Sequence, residues 1–259
     1  MAVPNTDSFS LQDVENEIAG TQGSLTALFA ASNDAFFDQA YKGSKNSLMN
    51  FRNYNSITYG FLYNLAAILH ANFPIPGWHV PSSGEWNALI SDLGGNAVAG
   101  GHLKEAGLIS WDSPNTGADN SSGLYFRGGG TRDASIFSGL RLSGVFAAID
   151  QDSASFQRML TLSYNSANAG INTFPKTAYT VSVRLFKDDG TNPGSVTDID
   201  GNSYNTAKIG GQVITGKNFK CTRLNNGTAI PNITNQTTWN TNMQISPSNC
   251  AYANNISNV

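Results

Sequence analysis

Gly77-Trp78-His79-Val80-Pro81-Ser82-Ser83-Gly84-Glu85-Trp86 is the stretch on which the fold turns. Pro74, Pro76 and Pro81 keep the chain from Phe73 to Pro81 extended, because each ring removes an N–H and biases the preceding residue away from helix. Ser82 or Ser83 then supplies a helix N-cap. Trp86, Leu89, Ile90 and Leu93 follow at helical spacing until Gly94-Gly95 stops the run. A further short helix is expected over Val98 to Lys104, and upstream Tyr59 to Ile68 reads as a short buried helix.

Beyond Gly107 the pattern changes to loops and strands. Trp111 to Ser122-Gly123 is a long polar loop that side-chain hydrogen bonds must hold. Strands are expected over Leu124–Arg127, Leu142–Ala148, Met159–Tyr164 and Thr180–Phe186, the last with Val181, Val183 and Leu185 on one face. Asp188-Asp189-Gly190-Thr191-Asn192-Pro193-Gly194-Ser195 is the clearest linker. Strands over Tyr204–Ile209, Gln212–Ile214 and Phe219–Leu224 come after it, with Asn225-Asn226-Gly227 as a turn.

Composition agrees with this alternation of short elements and turns. Gly, Asn, Ser and Thr are abundant and only 13% of residues are charged, which disfavours a helix-rich architecture. The net charge of −3, with no dense Lys/Arg run, argues against nucleic acid as a partner. No apolar stretch approaches a membrane span, and Met1 to Asp7 has no basic or apolar leader character. Synthesis in a cytoplasm without export of its own is therefore expected. Cys221 and Cys250 are the only cysteines, too few for a zinc site of the usual kind. They can form one disulfide; cytoplasmic assembly opposes it and release outside the cell permits it.

The first fifty or so residues stand apart. Ser10 can cap a short amphipathic helix carrying Leu11, Val14 and Ile18, and Gly20 and Gly23 separate it from a second apolar segment with Leu25, Leu28, Phe29, Phe36 and Phe37. Two short helices cannot enclose a core of their own, so this module is expected to dock on the main domain or on another protein. Gly43 to Tyr54 is a polar connector. Together with the opening Met-Ala-Val-Pro-Asn-Thr, it resembles the beginnings of virion structural proteins of phages that infect Bacteroidetes-type bacteria. An arm packed on its own domain is the other reading.

Gly77 to Trp86, Leu93-Gly94-Gly95, Ala99-Gly100-Gly101-His102-Leu103-Lys104-Glu105-Ala106-Gly107, Trp111 to Ala118 and Ser122-Gly123 resemble, in order and spacing, the Fibrobacter succinogenes major paralogous domain. That resemblance implies an α+β, C-type-lectin-like fold: short helices around small antiparallel sheets, with long loops that carry ligand contacts. Ordinary members open with a segment similar to Asp198-Ile199-Asp200-Gly201-Asn202-Ser203-Tyr204 to Gly210, continuing through Asn225 to Pro231. Here that segment comes last, as in a circular permutation. The expected organisation is a virion-attachment module over 1–56 and a permuted domain over 57–259. Within the domain, 57–187 is the main part, 188–197 a linker and 198–259 the completing segment, placed on its own domain or on a neighbouring chain's.

No catalytic constellation stands out. His70, His79 and His102 are scattered, and no G-x-S-x-G, H-E-x-x-H or P-loop is present, so a non-enzymatic protein with no cofactor and no metal is expected. His79 is read as a packing or hydrogen-bonding residue. Gly128-Gly129-Gly130 is read as a loop where backbones approach closely. The fold the resemblance implies also hosts formylglycine-generating enzymes, but Cys221 and Cys250 lie outside the segments that would form that site. The Glu-Pro-Asn and Trp-Asn-Asp signatures of calcium-dependent lectins do not occur. Gly144-Val145-Phe146-Ala147-Ala148-Ile149-Asp150 replaces a more aromatic family strand, which takes away platforms that favour a sugar ring. The exposed candidates for ligand contact are Tyr125, Arg127, Arg132, Arg141, Asp150, Asp152, Arg158 and Tyr164. Leu11, Val14, Ile18, Leu25, Leu28 and Phe29 are the candidates for docking to other virion proteins. The functional expectation is a virion protein, on head fibre, capsid or tail, that associates with its own copies and adheres to host-surface or mucin glycans. A purely structural virion role is the alternative.

Overall fold

The computed structural model describes residues 10–11, 14, 24–32, 43–44, 46–51, 58–133, 136–176, 179–242 and 244–259. The chain divides into two compact units, Met1–Thr58 and Tyr59–Val259. In the first unit, helix α1 (Leu25–Ala31) is capped by Ser24, whose Oγ accepts from the Ala27 N–H at 3.2 Å. Val14, Leu28 and Phe51 are fully buried together, with Leu11, Leu25, Phe29 and Leu48 packed around them. The Phe29 and Phe51 rings stack at 4.5 Å. This corrects the expectation that the segment cannot form a core. A 3-10 turn over Leu48–Phe51 brings in a third apolar edge that a two-helix reading omits. Val14 and Leu28 are consumed in that core and offer no docking surface, whereas Leu11, Leu25 and Phe29 are partly buried. Ile18, Gly20, Gly23, Phe36 and Phe37 lie outside the described residues.

The second unit is a mixed α+β structure of curled, mainly antiparallel sheets and a few short helices. Its strands are β1 (Leu62–Tyr63), β2 (Trp78–His79), β3 (Gly129–Arg132), β4 (Phe137–Leu140), β5 (Ser143–Gln151), β6 (Phe156–Ser163), β7 (Ala169–Pro175), β8 (Phe186–Lys187), β9 (Ser195–Thr197), β10 (Ser203–Ile209), β11 (Gln212–Thr215) and β12 (Asn249–Cys250). Helices α2 (Leu65–Ile68), α3 (Ser83–Asp92), α4 (Asn96–Leu103) and α5 (Gln236–Asn242) lie between them. The strands form one sheet ordered β2-β8-β11-β10-β9, a second ordered β4-β3-β5-β6-β7, and the pair β1-β12. β3 meets β5 in parallel; the other ladders are antiparallel. Among the described residues no helix is long and apolar enough to cross a membrane.

Strand β2 passes through Pro81 and Ser82 into α3 as the local chemistry requires. The Ser82 Oγ accepts from the Glu85 N–H at 3.2 Å while the Glu85 carboxylate accepts from the Ser82 N–H at 2.7 Å, a reciprocal cap. Gly94 and Gly95, at φ +92° and +94°, end the helix. Side chains alternate across the β5-β6 ladder. Val145, Ala147 and Met159 enter one core with Tyr63, Phe73, Trp78 and Phe219. Phe146, Ala148, Leu160 and Leu162 enter the other with Trp86, Trp111, Phe126 and Phe186.

Residues 198–259 belong to the same unit. They contribute β10 and β11 to the first sheet, with β9 just ahead of them, since β10 pairs with β9 and β11, and β11 with β8. Tyr204, Val213, Phe219, Leu224 and Ile230 complete the first core, and β12 pairs with β1.

The structure corrects several element assignments. The helix expected over Tyr59–Ile68 is helical only at α2. Before it, Phe61 donates to the Phe219 carbonyl and Tyr63 to Val181, so backbone partners distant in sequence override local propensity. Thr180–Phe186 is extended and its Val181, Val183 and Leu185 line the first core, but Thr180, Ser182 and Arg184 are fully buried too. The segment runs between the sheets and makes isolated bridges, and only its end joins β8. Leu124–Arg127 and Phe219–Leu224 likewise form bridges or turns instead of strands. Gly129 and Gly130 start β3 in place of a loop, although the close approach is real: a Cβ on Gly130 would lie 2.4 Å from the Ser138 carbonyl oxygen.

Candidate functional site

The charged candidates other than Arg132 fall into separate clusters, each internally paired. Arg127 forms a two-toothed pair with Glu105, both bonds 3.0 Å, and Arg141 pairs with Asp112 at 2.9 Å while donating to the Leu108 carbonyl at 2.6 Å. These four charges surround the buried Tyr59 phenol, which burial pushes up to about 12. Asp150, Asp152 and Arg158 come together elsewhere. The Ser83 hydroxyl donates to Asp150 Oδ2 at 2.5 Å, the Ser83 N–H donates to the other carboxylate oxygen, and Arg158 lies 3.6 Å from Asp150 and 3.3 Å from Asp152. That cluster ties the start of α3 to the end of β5. Tyr125 is exposed at φ +47° and Tyr164 is half-buried.

Arg132, expected at the surface, is buried. Its guanidinium stacks on Trp239 and Phe137 at 4.5 and 4.9 Å and donates to the Ile233 carbonyl at 2.7 Å and to Gln236 Oε1 at 3.1 Å. A planar cation whose donors meet carbonyls and whose faces meet rings can leave water without a carboxylate partner. Arg184 repeats the arrangement: it donates to Asn218 Oδ1 and to the carbonyls of Leu124, Thr215 and Tyr125 at 2.7–2.9 Å, over the Phe126 ring.

The disulfide does not form: both cysteines are free and buried, in different surroundings. The Cys250 thiol lies against Arg132 and Thr180, while the Cys221 thiol donates to Asp200 and the Arg223 carbonyl. Asp198, Asp200 and Cys221 bring ligand-type atoms within 4.8 Å of one another. Their oxygens are already engaged. Asp198 accepts from the N–H groups of Asp200 and Asn202, the Asn202 amide and the Tyr204 hydroxyl. Asp200 accepts from Thr222, Cys221 and Arg223, and lies at about 2, burial opposing and these bonds outweighing it. Burial pushes the thiol up to about 12. The cluster is a hydrogen-bonded turn that fastens the Asp198–Asn202 loop to the Cys221–Arg223 segment.

A different surface emerges on the second sheet, which the sequence pattern did not single out. A shallow groove of about 570 Å³ is lined by Asn96, Thr131, Ser143, Val145, Thr161, Leu162, Ser163, Ser166, Asn168, Ala169, Gly170, Asn172 and Phe174. Among the described residues no Asp, Glu, Lys, Arg or His lines it. Its rim, residues 165–168, is held from behind by α4. The Lys104 ammonium, fully buried, donates to the carbonyls of Thr116, Ser163 and Ser166 at 3.0, 2.9 and 2.8 Å, matching its three hydrogens to three acceptors. Burial lowers it to about 8, which leaves it charged at neutral pH. Gly101 N–H donates to the Ala167 carbonyl, and a Cβ on Gly100 would lie 2.1 Å from the Asn168 carbonyl oxygen. The Ala99-Gly100-Gly101-His102-Leu103-Lys104 run thus has a physical purpose: Gly100 lets the rim come close, Gly101 makes room for the Gly117 backbone, and a lysine reaches through to anchor the rim. The signal that could have marked the groove was the Ser/Thr/Asn alternation of β6 and β7.

The family model of the Fibrobacter succinogenes major domain matches residues 14–187, more than half of the chain. The match ends at Lys187, in β8, and takes in part of the first unit. No curated protein and no solved structure matches the chain. The chain belongs to the Fibrobacter succinogenes major domain family.

Proposed function

We propose that this chain is a non-enzymatic binding protein of a bacteriophage particle, in which the first unit attaches to other virion proteins and the second, a circularly permuted C-type-lectin-like domain, adheres to host-surface or mucin glycans. The permuted reading draws support from the tail segment, whose Asp198 to Gly210 motif resembles the opening of ordinary family members and whose strands join the sheet that β8 begins. The attachment reading draws support from the resemblance of the opening fifty residues to phage virion proteins.

The observation that carries the binding role is a contrast between two kinds of surface. Apart from the buried Arg132, the charged candidate residues are tied up in arginine–carboxylate pairs, while the groove on β5, β6 and β7 presents the exposed carboxamides of Asn96 and Asn168, which no described protein group engages. Arginine–carboxylate pairs fix loops, whereas open neutral polar groups are available to a ligand. The test is assembly of particles carrying the chain without residues 1–50. The proposal expects the shortened protein to be missing from purified particles and particles lacking it to lose adhesion to mucin-coated surfaces. Normal incorporation would overturn the attachment role, and undiminished adhesion would overturn the binding role.

A further inference from the structure

We infer that the groove on the second sheet takes a neutral oligosaccharide and discriminates against sialylated or sulfated ones. The inference rests on the reading of the chain as an adhesion protein and assigns that role a site and a ligand class. Asn96 and Asn168 are exposed at the groove with side-chain amides that no described protein group engages. Asn172 donates its amide to Thr161 Oγ1, which leaves its carbonyl oxygen open. A carboxamide offers a donor and an acceptor side by side, the pattern that a pair of neighbouring hydroxyls on a sugar ring requires. Phe174, braced by Tyr179 at 5.0 Å, gives the groove an aromatic wall for an apolar ring face. The volume, about 570 Å³, lies in the range of small-ligand sites.

Selectivity follows from what the lining omits. A carboxylate or sulfate brought into a site without Arg or Lys loses water and gains only neutral donors, whereas an uncharged sugar exchanges one set of neutral hydrogen bonds for another. The nearest buried cation, Lys104, gives all three hydrogens to backbone carbonyls behind the rim and has none to offer a ligand. Those same bonds, with the Gly100 and Gly101 contacts, hold the rim in place before a ligand arrives.

The experiment applies the full chain to an array of matched N-acetyllactosamine-type oligosaccharides, each unsubstituted, sialylated or sulfated, followed by titration of the best binder. Unsubstituted glycans are expected to bind at least tenfold more tightly than their charged counterparts. The double variant Asn168→Ala/Asn172→Ala, whose side chains are exposed and whose melting temperature should be unchanged, is expected to lose at least tenfold in affinity. Equal or tighter binding of the charged forms would overturn the neutral selectivity and leave the adhesion role standing. Unaltered affinity in the double variant would overturn the groove as the site. Binding to no glycan of any class would overturn both this inference and the glycan reading on which it rests.

Discussion

Among the described residues three cations, Lys104, Arg132 and Arg184, are fully or almost fully buried, and each is held by carbonyl oxygens and aromatic rings instead of a carboxylate. Such a residue fastens several loop backbones at once, because its donors meet the carbonyls of segments far apart in sequence. Lys104→Met keeps the side-chain length and removes the donors, so the carbonyls of Thr116, Ser163 and Ser166 all lose the ammonium. The substitution is expected to cost about 3 kcal/mol in urea unfolding, and an unchanged midpoint would contradict the role. Titration gives a second expectation. His79 bonds to Asp188 and Glu85, both at 2.7 Å. Burial pulls its pKa down, but the two carboxylates outweigh it and hold the pKa above 6.5. A raised folded-state pKa gives stability that is complete below the unfolded value and is lost as pH rises through the folded one. As pH rises past about 6.5 the protein should therefore lose stability, and His79→Gln should flatten that slope in pH-dependent melting. A slope equal to that of the parent protein would show that the clasp is not the source.

Elements were legible where local chemistry decides them. The Ser82 cap, the glycine stop after α3, helix α4 and strands β5, β6, β10 and β11 follow from caps, glycines and alternation close in sequence. The misses have a common cause. Tyr59–Ile68 takes its hydrogen bonds from Phe219, Val181 and Ser248, and Thr180–Phe186 is buried on both sides, so neither periodicity nor propensity within those stretches could reveal their state. Candidate residues were misjudged for a related reason: an arginine in a polar stretch reads as exposed, yet Arg132 finds Trp239 and Phe137, one of them over a hundred positions away. The glycines of α4 carry a prediction at this scale. Gly100→Ala places a methyl group against the Asn168 backbone, which must move. The variant should lose about 1–3 kcal/mol through overpacking and shift the amide resonances of residues 165–170. Resonances that stay in place would show that the helix and the groove rim are not in contact.

At the scale of the whole molecule, the last sixty residues are structural partners of everything from Tyr59 to Lys187. Tyr59 donates to the Asn258 carbonyl, Thr215 to Leu185 and Phe219 to Val183, and Gln212 reaches the Glu85 carbonyl on α3. Which strands the segment from Asp198 to Gly210 would join was not readable in sequence, because register is set by partners across the sheet. A groove whose rim is braced by α4 and whose floor is β5 to β7 depends on this closure, since Val145 and Phe174 pack with the core that the tail completes. Native-state hydrogen exchange on the full chain tests this unity most directly. If the tail completes the unit, the amides of Thr215, Phe219 and Phe61 should open with the same free energy as those of Leu160 and Leu162 in β6, their protection agreeing within about tenfold. Protection of the tail amides that collapses at low denaturant while β6 stays closed would contradict this and make the tail an independent lobe.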